Sequence, residues 1–435
     1  MKASYIKNTF LKILNTMNSE RSCFVMDPDK DFTRTRKCSF QSLLLLLLTM
    51  ESHSLNHELR NFFQGCDGQP PTKSAIVQQR EKLNDAVFPY LFNSLNEAFA
   101  FKKLFHGYHL LACDGSAVNI PPFRNDTDTY IASNTSDVGY HQMHLNAVYD
   151  LLEERYVDVL TQPRAAVNER EAFISFLFRN PLPGKSIYLA DRGYYSINVL
   201  AYLLMAEQSF VFRMNSEEVR NSLLTRFKLP DKEEFDINLD FAVTRSFKKI
   251  YRDDPEKYIC IRPNRTFDFI DVEDKTSTFP ISIRLIKVKI DEGIYEYLIT
   301  NLPADAFGKN TLKHLYHLRW GIETSFRFLK YNVALNYFHS KRRDFIIQEI
   351  YARLVLYNLT MLLVHSVSPP QRCAKHKYKI SVSDAVITCR NFILNKIKHS
   401  EVKPLLLKYL TCVRPGRTFI RKNRSKRFVS FVNRP

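Results

Sequence analysis

The chain has 435 residues, a net charge of +18 and 45% hydrophobic residues. That apolar share supports a sizeable core and excludes a disordered chain; the length allows two to four domains, or one core with large insertions. The longest pure leucine run, Leu43 to Leu48, is far short of the ~20 residues that span a bilayer. The first thirty residues hold no signal-peptide core, and the eight scattered cysteines form no CxxC pair. The expectation is a soluble intracellular protein with free thiols and no membrane partner.

The positive charge is uneven. Residues 1–105 hold 14 Lys and Arg against 10 Asp and Glu, residues 371–435 hold 17 against 2, and 106–370 are near neutral. Such a basic arm calls for a polyanionic partner, nucleic acid first, with a solubilising tail as the other reading. In chain order, 1–105 reads as almost wholly helical, with Phe32, Phe40 and the leucine run giving the apolar pattern. Gly65, Gly68 and the following prolines break it, and Thr72 or Ser74 can cap a new helix. There Ala75, Ile76, Val77 and Leu83 are expected inside, and Lys73, Gln78, Gln79 and Arg80 outside. A short turn followed by a helix bearing Gln and Arg suits major-groove reading.

From 108 the pattern turns to strand. YHLLACDGSAVNIP reads as an apolar approach, Asp114, and a Gly-Ser turn. Asp126 and Asp128 read as solvated loop acids, an extra metal contact being the alternative. Residues 141–160 alternate as a hairpin turning near Glu153 and Glu154. Its His141 and His144 are three apart in a strand, so on opposite faces, which argues against a shared metal. Residues 168–179 read as a helix, with Asn168, Glu169 and Arg170 as cap and first turn. Then KSIYLADRGYY runs strand, Asp191 and turn, with a helix from about Ser196. This puts the carboxylate at the carboxyl end of a buried strand, where open α/β sheets place their chemistry. Residues 210–300 are β-rich, and 345–365 form an apolar helix.

Between those two segments lies YHLRWGIETSFRFLK, residues 316–330. Read as one helix, it brings Tyr316, Arg319, Glu323 and Lys330 within roughly 60° of arc, with Arg327 at its edge. Leu318, Ile322, Phe326 and Leu329 form the neighbouring core stripe. Ion pairs between Glu323 and the arginines four residues away are the modest explanation, adding about 0.2–0.5 kcal/mol each. Trp320, the one tryptophan, is expected in the core, with stacking on a displaced base as the alternative.

Three acids stand out by context: Asp114 and Asp191 at strand ends, and Glu323 beside Arg319. A carboxylate at the end of a buried strand is costly unless paired or coordinated. Three converging carboxylates suit Mg²⁺ or Mn²⁺, and two such ions about 3.5–4 Å apart serve phosphoryl displacement. Adjacent basic side chains would then hold a phosphate backbone.

This set resembles the DDE transposases of the insertion sequence 4 family. Their Y-x2-R-x3-E-x6-K signature is matched by Tyr316, Arg319, Glu323 and Lys330, their D-G-S/T turn by residues 114–116, and their D-R-G-Y by residues 191–194. TRKCSF at 35–40, SLNHEL at 54–59, TKSAIVQQREKL at 72–83 and VRPGRTFIRK at 413–422 extend the resemblance over nearly the whole chain.

The resemblance implies an α/β, RNase H-like (retroviral-integrase-like) catalytic core. It would occupy 106–210 and 299–370, interrupted by a β-rich insertion over 211–298. A helical DNA-binding region over 1–105 and a basic, helical C-terminal region over 371–435, for DNA binding and dimerisation, complete the expected layout. Asp114, Asp191 and Glu323 would be the catalytic metal ligands, holding two Mg²⁺ or Mn²⁺ ions. Tyr316, Arg319, Arg327 and Lys330, with Lys73, Gln79, Arg80, Arg417 and Arg421, would contact DNA. Lys330 lies about 10 Å along the helix from Glu323, so it would touch a neighbouring phosphate. The implied partners are double-stranded DNA, as terminal inverted repeats and target, and a second copy of the chain in the synapse, with 385–412 a candidate for pairing. The implied setting is a bacterial or archaeal cytoplasm, at the nucleoid. A nuclease of the same fold without strand transfer and a non-catalytic DNA-binding descendant are the competing readings; three intact acids argue against the second.

Overall fold

The computed structural model describes residues 1–34, 36–65, 69–123, 126–132, 139–179, 182–215, 223–370 and 377–413. Arg417 and Arg421 lie outside them. The N-terminal region is helical, as expected: α1 (Ala3–Ser19), α2 (Phe40–Thr49), α3 (Leu55–Phe62), α4 (Lys73–Arg80) and α5 (Val87–Ala98). Ser39 caps α2 through the Ser42 amide and Thr72 caps α4 through the Ala75 amide, each satisfying an N–H that the helix leaves free.

The sheet begins with β1 (Tyr108–Ile120), β2 (Tyr130–Ile131), β3 (Tyr140–Asp150) and β4 (Arg155–Pro163). Next come α6 (Glu169–Arg179), β5 (Lys185–Ala190), α7 (Ile197–Met205) and β6 (Ser209–Arg213). The β-rich stretch supplies β7 (Phe235–Thr244), the short α8 (Lys249–Arg252), β8 (Tyr258–Cys260), β9 (Thr278–Asp291) and β10 (Ile294–Thr300). Then follow α9 (Lys309–Leu318), α10 (Trp320–Tyr331), α11 (Arg343–His365), β11 (Lys377–Ile380), α12 (Val382–Ile393), α13 (His399–Lys408) and β12 (Leu410–Val413).

Among the described residues ten strands form one mixed sheet, ordered β2-β3-β1-β5-β6-β10-β9-β7-β8, with β4 on β3. β1 pairs antiparallel with β3 and parallel with β5, and β5 parallel with β6. The β-rich segment between the second and third acids extends this sheet, through β10 on β6.

One face of the sheet packs α6 and α7, through Phe173, Phe176, Val199 and Leu203 against Leu111, Cys113, Val148 and Phe210. The opposite face carries α9 over β5, β6 and β10, and α10 and α11 over β1, β3 and β4. Helix α11 is long and apolar enough to cross a bilayer, yet most of it is buried inside the fold. It packs against α2, α5, α12 and β4, which explains its lack of a polar face.

Three expectations fail on α4. Arg80 is 3% exposed and Gln79 is also buried, whereas Val77 is exposed. Arg80 Nη1 donates to Glu349 Oε1 at 2.9 Å, and its Nη2 to the Phe345 carbonyl at 2.9 Å. It is therefore a tie between α4 and α11, and unavailable to DNA as placed. Lys73, at the start of α4, stays half-exposed. Asp126 also departs from its reading as a solvated acid: it is buried in an ion pair with Arg343, which reaches Asp128 at 3.2 Å as well. Both pairs lie near the start of α11, which supplies Glu349 to Arg80 and Arg343 to Asp126.

Removing one member of a buried ion pair strands the other and costs about 3–5 kcal/mol. Arg80→Ala is expected to lower the thermal midpoint strongly, and Arg80→Met with Glu349→Leu much less. Thermal unfolding checks this; an unchanged midpoint with weakened DNA binding would return Arg80 to the DNA-contact role.

Candidate active site

The register of β1 and β5 sets the site. Their parallel pairing ends at Cys113 opposite Ala190, so Asp114 and Asp191 follow on adjacent strands, about 5 Å apart at the backbone. The expected Gly-Ser turn after Asp114 does not form. β1 runs on to Ile120 alongside β3, with Gly115 opposite Asn146, because the hairpin partner satisfies its backbone after β5 has ended. Asp191 leaves the sheet at once: its Oδ1 accepts the Arg192 amide at 2.7 Å, and the Tyr194 amide bonds the Asp191 carbonyl.

The stretch expected as one helix is two. α9 ends at Leu318 and α10 starts at Trp320. At the junction the Arg319 amide bonds the Tyr316 carbonyl and the Ile322 amide bonds the Arg319 carbonyl, both at 3.1 Å. Three-residue spacing marks a local tightening of the helix. Arg319 keeps helical dihedrals, so the chain turns little there. Tyr316, Arg319 and Glu323 stay on one side, toward the strand ends.

The contacts run in series. The Tyr316 hydroxyl donates to Asp191 Oδ1 at 3.3 Å. The Arg319 guanidinium lies 5.5 Å from the Tyr316 ring centre, donates from Nη2 to Glu323 Oε1 at 2.8 Å, and approaches Asp114 Oδ2 to 3.9 Å. Tyr316 is buried with Leu312 and Leu315, and burial pushes its phenol up to about 12, so it remains a donor at neutral pH. Arg319 is 3% exposed, and its Nε has no hydrogen-bond partner among the described residues. Lys330 is half-buried, its ammonium donating to the Ala117 carbonyl at 2.7 Å; burial lowers its pKa and Asp114 counters this. Arg327 is exposed. Trp320 is 44% exposed, which corrects the expectation of core packing: the stripe of Ile322, Phe326 and Leu329 faces the sheet and α11 and leaves Trp320 outward.

Burial pushes the Asp114 carboxyl up to about 6; the Gly115 amide and Arg319 oppose this, and the Glu323 and Glu169 carboxylates add to it. Glu169 was expected only as the first residue of a helix. The Asn168 side chain does cap α6, accepting the Glu171 amide at 3.3 Å, but Glu169 also meets His144, Nε2 to Oε1, at 3.0 Å. No sequence signal marks it, since a Glu in a helix's first turn is common. His141 faces Thr129 instead, at 2.8 Å, so the two histidines do not share a site.

Among the described residues no three His, Cys, Asp or Glu side chains are gathered closely enough to hold an ion as they stand. The donor chemistry nonetheless suits a hard divalent cation. Asp114 and Glu323 lie against one guanidinium, Asp191 is reached through Tyr316, and the half-buried Asp114 is crowded by negative charge.

In ion-free protein the folded state holds the Asp114 proton more tightly than the unfolded chain, whose ordinary value is 3.8. The stability Asp114 contributes is therefore full below that value and is lost as pH rises through about 6. In chelator at pH 7, Asp114→Asn is expected to unfold at a higher temperature than wild type, by up to ~3 kcal/mol. The two should converge near pH 4. A variant less stable than wild type at pH 7 would mean that Arg319 fully compensates the charge.

Residues 106–359 match the family described as the transposase DDE domain. That span holds all three acids, the whole mixed sheet and most of α11. No curated protein matches the chain. Among solved structures, a piggyBac transposase synaptic complex with hairpin DNA, determined by cryo-electron microscopy, is similar at 10% identity and a TM-score of 0.44, over 95% of this chain and 84% of that one. Transposases of the DDE class depend on divalent metal ions. More than half of the sequence lies within the matched span, and the chain belongs to the transposase DDE domain family.

Proposed function

We propose that this chain is the DNA transposase of an insertion sequence of the insertion sequence 4 family, binding terminal inverted repeats and performing cut-and-paste transposition. The observation that carries the reading is the contact series Asp191–Tyr316–Arg319–Glu323, with Asp114 beside Arg319, where β1 and β5 stop pairing. It joins the two sheet acids to the four-residue helical signature.

Asp114, Asp191 and Glu323 are the residues that would hold two Mg²⁺ or Mn²⁺ ions. Bound there, the ions supply an activated water or DNA 3′-hydroxyl and stabilise the leaving 3′-oxygen. The chain's own residues prepare the ground. Tyr316 orients Asp191 by donating to Oδ1. Arg319 holds Glu323 and balances Asp114 while the site is without a cation. Arg319 and Lys330, engaged within the protein as placed, become phosphate contacts when DNA draws them off, and the exposed Arg327 is free to follow the backbone. Lys73 on the N-terminal helices and Arg417 and Arg421 on the basic arm serve DNA away from the chemistry. A synapse of two DNA ends calls for a homodimer.

The decisive assay uses purified protein, Mg²⁺ and labelled DNA carrying the gene's own flanking ends. Loss of one ligand removes several kcal/mol of charge stabilisation, on the order of a thousandfold in rate. Glu323→Gln is expected to lose both end cleavage and joining while still binding DNA. Cleavage without joining by wild type would favour the nuclease, and end binding without cleavage under any divalent ion would leave a DNA-binding descendant.

Phosphate contacts release counterions, so affinity falls with salt in proportion to their number. A chain ending at residue 413 is expected to bind DNA more weakly, with a shallower salt dependence. Binding measured across a salt series decides this, and an unchanged slope would take the basic arm off the DNA.

A further inference from the structure

The acid-bearing segments are held from below as well as from above. α10 covers them on one face of the sheet; on the other, His144 of β3 and Glu169 at the start of α6 sit beneath Gly115. Leu145 belongs to the α10 face, so His144 points to the α6 side. A Cβ at Gly115 would lie 2.1 Å from His144 Nε2 and 2.5 Å from Glu169 Oε1. Gly115 does not have a positive φ, so a side chain here is opposed by the space the pair occupies rather than by the backbone. Its amide holds Asp114 Oδ1 at 2.9 Å.

The same helix end reaches the second acid. A Cβ at Gly193 would stand 3.5 Å from Glu169 Oε2. The Arg170 Nε donates to the Gly193 carbonyl at 3.0 Å. Consecutive residues of one rigid helix thus rest against the glycine after Asp114 and the glycine two residues past Asp191. The His144 side chain is 12% exposed and that of Glu169 33%; among the described residues neither hydrogen-bonds to the three acids, although the Glu169 carboxylate acts on Asp114 through space.

We propose that His144 and Glu169 are positioning residues of the active centre: seated under Gly115, and with Arg170 on the Gly193 carbonyl, they fix the spacing of Asp114 and Asp191 across β1 and β5. This rests on the reading of those acids as cation ligands. Their role is mechanical, through backbone, and needs an acceptor at Glu169 more than its charge.

The test reads Mn²⁺ affinity on the full chain, by electron paramagnetic resonance titration, beside end cleavage and the thermal midpoint. Outer partners of metal ligands are worth about 10–100-fold in affinity or activity. Glu169→Ala and Gly115→Ala are each expected to weaken Mn²⁺ binding at least about tenfold. Glu169→Gln, which keeps an acceptor for His144, should recover most of what Glu169→Ala loses. Wild-type Mn²⁺ affinity in both Glu169→Ala and Gly115→Ala, with Asp114→Asn impaired, overturns the positioning role. Glu169→Gln as damaging as Glu169→Ala also overturns it, making the carboxylate charge the active feature. If Gly115→Ala fails to fold, the two Glu169 variants decide. Undiminished Mn²⁺ binding by Asp114→Asn would instead sink the ligand reading, and this inference with it.

Discussion

Asp114 loses hydration at the point where two buried parallel strands stop pairing, is crowded there by the Glu323 and Glu169 carboxylates, and the site is arranged around that cost. Asp114 and Asp191 are brought together because β1 and β5 stop pairing at Cys113 and Ala190. A third carboxylate, Glu323, then arrives from α10. One buried guanidinium, Arg319, stands against this charge. Such an imbalance is destabilising in the protein alone, and a divalent cation held there would relieve it. It is the stability–activity conflict expected of a catalytic centre.

The surroundings hold this unfavourable group in place. β1 continues past the acid on β3, so the Asp114 backbone stays in a ladder although its neighbour β5 has ended. α9 and α10 are separated by one tightened turn at Arg319, which keeps Tyr316 over Asp191 and Glu323 near Asp114. Behind them α11 fills the space between the sheet and the outer helices, buried along most of its length. Its N-terminal end is tied by charge, with Arg80 on Glu349 and Arg343 on Asp126. A deeply buried apolar helix with polar anchors gives α10 a rigid backing.

Much of this was legible. The helical character of the N-terminal region with its helix after Thr72, the hairpin turning near Glu153, the strand before Asp191 with a helix from about Ser196, and the apolar helix near 345–365 all follow from periodicity and local capping. Those signals are short-range, so a single sequence carries them. The misread residues depended on partners far along the chain. Arg80 and Gln79 look like surface polar residues until α11 is packed on them. Asp126 looks like a loop acid until Arg343 arrives, 217 residues later. Trp320 looks like core until the stripe of Ile322, Phe326 and Leu329 claims the sheet face.

The sequence alone determined the kinds of groups at the site: an acid after each of two apolar strand segments, and a phenol, a guanidinium and a carboxylate at helical spacing. Those patterns are set by side-chain chemistry and by the periods of 2 and 3.6. Only the tertiary structure decided how the acids meet, because strand order and register are not written in any one strand. It also decided that Glu169 and His144 share the underside of Gly115. That neighbourhood joins β1, β3 and α6, and its sole trace in the sequence is a glycine that the backbone itself does not need.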